Sequence, residues 1–263
     1  NLLTLLDPSA PAVSILFPMA ELDLITMVIL TGAAFIGATI SGFLGMGGGI
    51  FLLVVLFLCG LDAAVVIPVH ALIQLTSNST RVALFRRHVR WSALSVFVLC
   101  ALPFPIVGLA LAGYLDAEMT RVMIGVLVLF ATWKPKGWRV GWGERPAFAS
   151  MGVIAGTLGV VVGATGPLIA PFFLRDGWAK EEIIATKAAC QMFVHVQKIV
   201  VFGLVGFAFA AELPRVLPLA FVVVLGTWVG KKFLAHLTEK QFRLAYRLVL
   251  TGLALRLVAT VWL

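Results

Sequence analysis

Apolar residues run in long blocks along the chain, with polar residues gathered into short joins between them. The blocks cover residues 22–59, 63–85, 91–115 and 119–133. After the polar, Trp-rich stretch KPKGWRVGWGERP they resume over 147–174, 183–211, 216–236 and 242–263. An α-helix rises 1.5 Å per residue, so blocks of about 15–25 residues match a hydrocarbon core about 30 Å thick. Strands of a membrane barrel would instead alternate apolar and polar positions over about 10 residues. The pattern predicts an all-α polytopic membrane protein. Ahead of the first block, Pro8, Pro11 and Pro18 cut residues 1–21 into pieces too short to span. They lack the basic start of a signal peptide, and a peripheral lead-in is expected there.

Composition sharpens this picture. The chain is 61% hydrophobic and 12% charged, with a mean hydropathy of +1.08, against about 45–50% apolar and about 25% charged in soluble domains. A water-soluble enzyme is thereby excluded. The net charge of +8 would suggest nucleic acid in a soluble domain. Here the basic residues sit in short joins, where the positive-inside rule accounts for them, and no nucleic-acid partner is expected. Cys59, Cys100 and Cys190 lie in apolar runs without metal-ligand spacing, so neither a disulfide framework nor a metal or other cofactor is indicated.

The polar linker divides two halves of similar pattern. Gly42 and Gly45 of SGFLGMGGGIF recur as Gly156 and Gly159 of AGTLGVVVGATGPL. After a short insertion, His70, Gln74, Asn78 and Arg81 recur as Lys187, Gln191, His195 and Lys198. The predicted organisation is a repeat over 22–133, a cytoplasmic linker over 134–146 and a second repeat over 147–263. Basic bias changes places between equivalent joins: Arg86, Arg87 and Arg90 face a counterpart with one Arg and one Glu, while Asp116 and Glu118 face Lys231, Lys232 and Lys240. That exchange predicts inverted-topology repeats, with the joins around Arg87, Lys136 and Lys240 inside the cell. Residues 147–174 then start and end on one side but are too few for two spans. They are expected to turn back at Gly163-Ala164-Thr165-Gly166-Pro167, as 22–59 does at Gly45-Met46-Gly47-Gly48-Gly49, where two full crossings remain open. Each half reads as three spans plus a broken or re-entrant helical hairpin.

Irregular backbone at membrane depth is tolerated only in protein or beside a wet cavity. Paired breaks in inverted repeats point to a midplane substrate site. Glycine lets several N–H groups converge, and helices restarting near Ile50 and Pro167 would aim positive dipole ends at the same point. Such a site favours an anion. Close helix packing is the competing reading for any one glycine cluster, and repetition weighs against it. His70, Gln74 and Asn78 share one helical face, as do Lys187, Gln191 and His195. Gln and Asn could instead bond helix to helix. Arg81 and Lys198 are expected to snorkel toward opposite interfaces, and Lys187 is divided between snorkelling and substrate contact. The 12 acidic residues fall in joins, at block ends or in the lead-in, so no carboxylate interrupts an anion path. No zinc-protease, nucleophile-elbow or P-loop motif is present, and a dinucleotide reading of the glycine run lacks a βαβ context.

At these residues the chain resembles the sulfite exporter TauE/SafE family, also called the toluene sulfonate uptake permease family. GFLGMGGGIFLLVVLF with HALIQLTSNSTRVALF, and the weaker repeat GTLGVVVGATGPLIAPFF with KAACQMFVHVQKIVVF, carry the resemblance. The matched positions are Gly45, Gly47, Gly48, Gly49, Gln74, Asn78, Gly163, Thr165, Gly166, Pro167 and Gln191. The resemblance implies a multi-pass carrier of a bacterial-type inner membrane for sulfite, thiosulfate, sulfonates or sulfoacetate, with other organic anions as the alternative cargo. The expected mechanism is alternating access. Backbone N–H groups at Gly47, Gly48, Gly49, Gly163 and Gly166 and the amides of Gln74 and Gln191 would hold the anion. Asn78, Thr165, Lys187 and His195 would complete the shell. An anion channel, an intramembrane enzyme using His70 or His195 as base, and a non-transporting assembly partner are the competing classes. The expected partners are a small anion and the lipid bilayer, with a homodimer left open.

Overall fold

Helix boundaries follow from a few local signals. Asp23 accepts the Thr26 N–H at 2.6 Å and opens α1, Leu24–Leu44, as an N-cap carboxylate does. The computed structural model describes residues 22–45, 47–133, 140–233 and 239–259. The predicted lead-in over 1–21, Met46 and residues 134–139 of the predicted linker, Lys136 included, lie outside the described residues. After α1 come α2 (Gly48–Leu58), α3 (Ala63–Phe85), α4 (Trp91–Ala101), α5 (Phe104–Ala112) and α6 (Ala117–Trp133). The second half holds α7 (Glu144–Val162), the short α8 (Gly166–Ile169) with a 3-10 turn over Ala170–Phe173, then α9 (Lys180–Leu204), α10 (Phe209–Phe233) and α11 (Glu239–Ala259). Every described element is helical, as the apolar blocks require.

α1, α7 and α10 are long and apolar enough to cross a bilayer, and α4 with α5 makes a fourth candidate. Large apolar side chains on their outer faces, among them Ile25, Leu99, Leu217 and Phe221, are exposed, which suits contact with lipid rather than water. α3 and α9 are 23 and 25 residues long but carry the polar ladders.

Several sequence expectations change. The block 91–115 is two helices bent by 49°, because Pro103 and Pro105 remove backbone donors and crowd the preceding turn. The join expected around 211–216 is the start of α10: Glu212 lies in its first turn, where a carboxylate suits the helix dipole. The question of two crossings in 22–59 is answered by length. The 11 residues of α2 reach roughly 16 Å, about half a bilayer core, and α2 doubles back beside α1. A β-carbon on Gly48 would sit 1.6 Å from the Gly37 carbonyl oxygen.

The main helix contacts cross between halves. α1 packs along α10, α7 against α4 and α5, and α3 along α9. Glycines make two of these contacts close. A β-carbon on Gly42 would lie 2.6 Å from the Thr227 oxygen, and one on Gly230 would lie 2.2 Å from that of Thr39. Gly152 and Gly156 of α7 press equally hard on the Phe97 and Ala101 carbonyls. For Gly42 and Gly156 the packing reading is therefore the correct one. At the starts of α4 and α9, Arg90 reaches Glu182 with two hydrogen bonds of 2.8 and 3.1 Å and lies 5.2 Å from the Trp178 ring. The guanidinium holds the Glu182 carboxyl below the usual carboxylate range, helped by the Ala179 N–H.

Candidate functional site

The site begins where α1 and α7 stop. α1 is capped by Gly45 at φ 70° and α7 by Gly163 at φ 73°, a region closed to most residues with a β-carbon. The structural partner of Gly45 is thus Gly163 rather than Gly159, which remains inside α7. The sequence alignment paired Gly45 with Gly159 because glycine alone does not reveal whether it caps or packs. At the first break the Gly48 N–H donates to Ser41 Oγ at 3.0 Å, so this amide is spent inside the protein. At the second, α8 has only four residues before the 3-10 turn, so the two restarting helices are unequal.

Against each break stands one polar ladder. α3 sets Gln74 beside the first: a β-carbon on Gly49 would meet its amide oxygen at 3.1 Å. α9 sets Gln191 beside the second: a β-carbon on Gly166 would meet its amide nitrogen at 2.8 Å. The repeat that pairs Gly49 with Gly166 also pairs the two glutamines. His70 Nε2 lies 2.8 Å from the Gly49 carbonyl oxygen. The His70 and His195 rings meet edge-on with centroids 5.9 Å apart.

Between the breaks lies a cavity of about 20 Å³, room for about one water-sized solute. α1 and the first break contribute Ser41, Gly47, Gly49 and Ile50; α3 contributes His70, Gln74 and Arg81. Ala164 and Gly166 border it from the second break, and Lys187, Gln191 and His195 from α9. The lining carries two cations, two amides and two imidazoles, and no carboxylate. Buried amides and cations without a carboxylate can hold an anion by charge-assisted hydrogen bonds.

Not every predicted site residue reaches this cavity. Gly47, Gly49, Gln74, Gly166, Lys187, Gln191 and His195 do. Lys187 is 1% exposed, so it does not snorkel. Gly48 packs on Gly37 and Ser41 instead. Asn78 is committed elsewhere: its Nδ2 donates to the Gln74 carbonyl and its Oδ1 accepts from Arg81 Nη2 at 2.7 Å. Gly163 and Thr165 are buried beside the cavity without lining it. Arg81 and Lys198 overturn the snorkelling expectation. They are 2% and 1% exposed, and each turns inward to a break: Arg81 Nη1 to the Gly45 oxygen at 3.4 Å, Lys198 Nζ to that of Gly163 at 2.5 Å. Ser41 was missed altogether, and its signal is a hydroxyl one turn before a glycine-rich stop.

A family model described as sulfite exporter TauE/SafE matches residues 30–257. No curated protein and no solved structure matches the chain. Nearly all of the chain, both breaks and both ladders included, lies inside the family match, and the protein therefore belongs to the sulfite exporter TauE/SafE family of sulfur-anion membrane transporters.

Proposed function

We propose that the protein is a secondary transporter that exports small sulfur oxyanions or sulfonates, such as sulfite, thiosulfate or sulfoacetate, across a bacterial-type inner membrane by alternating access. The observation that carries the proposal is the twin amide arrangement. Gln74 and Gln191, equivalent in the repeat, each rest on a break glycine and line one cavity with Lys187 and without a carboxylate. Amides bind an oxyanion without a fixed charge, which keeps binding reversible. At about one water in size the cavity is smaller than a sulfur oxyanion with its oxygens, so binding requires the lining to spread.

The helix contacts support inverted halves. α1 of the first half packs on α10 of the second, while α7 of the second packs on α4 and α5 of the first, the exchange that a two-fold relation produces. They also favour a particular motion. The glycine-tight pairs join helices from different halves, so the moving bodies would be α1 with α10 and α7 with α4 and α5, rocking about α3 and α9. An inside-negative potential favours outward movement of a −1 charge by about 2.3 kcal/mol per 100 mV, so export proceeds without a coupling ion.

The test is flux of labelled sulfite, thiosulfate and sulfoacetate in proteoliposomes. Gln74→Ala and Gln191→Ala are each expected to lower flux by about tenfold or more, the loss of a desolvated hydrogen bond to a charged group. Unchanged flux in both variants would remove the amides from the site. Wild-type flux that neither saturates nor shows counterflow would replace the carrier with a channel.

A further inference from the structure

We infer that Arg81 and Lys198 set the charge of the anion this site accepts, favouring a doubly charged sulfur oxyanion over a singly charged one. The inference rests on the transport reading above and adds to it two residues that the binding shell did not include.

α1 and α7 both end beside the cavity, and a helix C-terminus carries a partial negative charge on its unpaired carbonyls. Two such ends would repel an anion. Arg81 and Lys198, equivalent in the repeat, each place a cation on the terminal glycine carbonyl of one of these helices. Neither makes an ion pair with a carboxylate among the described residues. Asn78, the other side-chain partner of Arg81, is neutral.

A buried charge without a counter-charge is costly, and at membrane depth it marks a substrate or ion path. Arg81 is met by the Ser77 and Gly45 carbonyls and the Asn78 amide oxygen, and Lys198 by the Gly163 carbonyl, all neutral acceptors that leave the charge without a counter-ion. Arg81 lines the cavity. Lys198 stands at the second break, with its ammonium on the Gly163 carbonyl next to Ala164 of the lining. Together with Lys187 in the lining, these charges are balanced by an anion of charge −2 more fully than by one of charge −1. Lys198 does not itself line the cavity, so it is a positioning residue acting through Gly163 and through its field.

The test measures binding to the full-length protein in detergent at fixed ionic strength, with thiosulfate as divalent probe and methanesulfonate as monovalent probe. The wild type is expected to bind thiosulfate roughly tenfold or more tightly than methanesulfonate, one step of affinity on the logarithmic scale. Arg81→Met and Lys198→Met should bring that ratio toward one, chiefly by weakening thiosulfate, while Arg81→Lys and Lys198→Arg keep it. A wild-type ratio near one would overturn the inference. So would methionine variants that weaken both anions equally, the mark of a merely structural role. If the methionine variants do not fold, the wild-type ratio and its retention in Lys198→Arg decide the matter. Failure of the wild type to bind or move either anion would instead sink the transport reading itself.

Discussion

At the first break α1 ends on Gly45 and gives its terminal carbonyl to Arg81; at the second α7 ends on Gly163 and gives its own to Lys198. Up to that point the two are built alike. Beyond it they part. The first continues into an 11-residue helix that is seated on backbone, with Gly48 against Gly37 and its N–H on Ser41. The second continues into four helical residues and a 3-10 turn, and Gly166 meets only the end of the Gln191 side chain. Ladder positions differ as well, with His70 opposite Lys187 and Asn78 opposite His195. A break of this kind therefore has two separable tasks. One is to stop a helix on a glycine and neutralise its end, which both halves do in the same way. The other is to seat the restarting helix, rigidly through backbone in the first half and softly through a side chain in the second.

That contrast can be broken most directly at Gly48. Gly48→Ala places a methyl group inside the Gly37 carbonyl and should destabilise the protein by about 3 kcal/mol or more, the upper range of overpacking, seen as a loss of thermal stability in detergent. Gly45→Ala and Gly163→Ala test the shared task. Each forces alanine into the left-handed region and should cost about 1–2 kcal/mol; clearly unequal melting shifts would show that the two caps are not equivalent. Gly166→Ala tests the soft seat. Its effect on stability should stay below about 1 kcal/mol because the Gln191 amide can move, yet anion flux should fall because that amide leaves its place. A stability loss as large as that of Gly48→Ala would erase the distinction between the seats. The smallest effect belongs to the link between halves at Arg90 and Glu182. The carboxyl is held below its ordinary range by the Arg90 hydrogen bonds, so the link is intact at neutral pH and is lost as pH falls through that lowered value. Stability should decline on acidification more in the wild type than in Glu182→Gln.

The cavity was readable where spacing alone sets geometry. Residues four apart share a helical face, so His70 with Gln74 and Lys187, Gln191 and His195 could be grouped from the chain and do meet in space. Paired glycine clusters likewise announced two interrupted helices. What could not be read was anything whose partner is backbone. Arg81 and Lys198 looked like interfacial cations because a carbonyl acceptor has no letter in a sequence. Gly45 and Gly159 looked equivalent because a cap and a packing contact use the same residue. The Gly48 amide looked open because Ser41, seven residues away, gave no periodic hint of reaching it. The bend at Pro103 was lost for another reason: hydropathy sums over a block and ignores a missing donor inside it.

The interleaving of α1 with α10 bears on how the molecule is made. α1 leaves the ribosome well before Gly226 and Gly230 of α10, which receive its Phe35 and Thr39 carbonyls. Until then its glycine-bearing flank has no mate, and long-range partners of this kind slow assembly and leave intermediates open to wrong pairings. A nascent chain truncated before residue 209 should therefore remain protease-sensitive however well its individual helices insert, and supplying the missing C-terminal fragment as a separate polypeptide should restore protection.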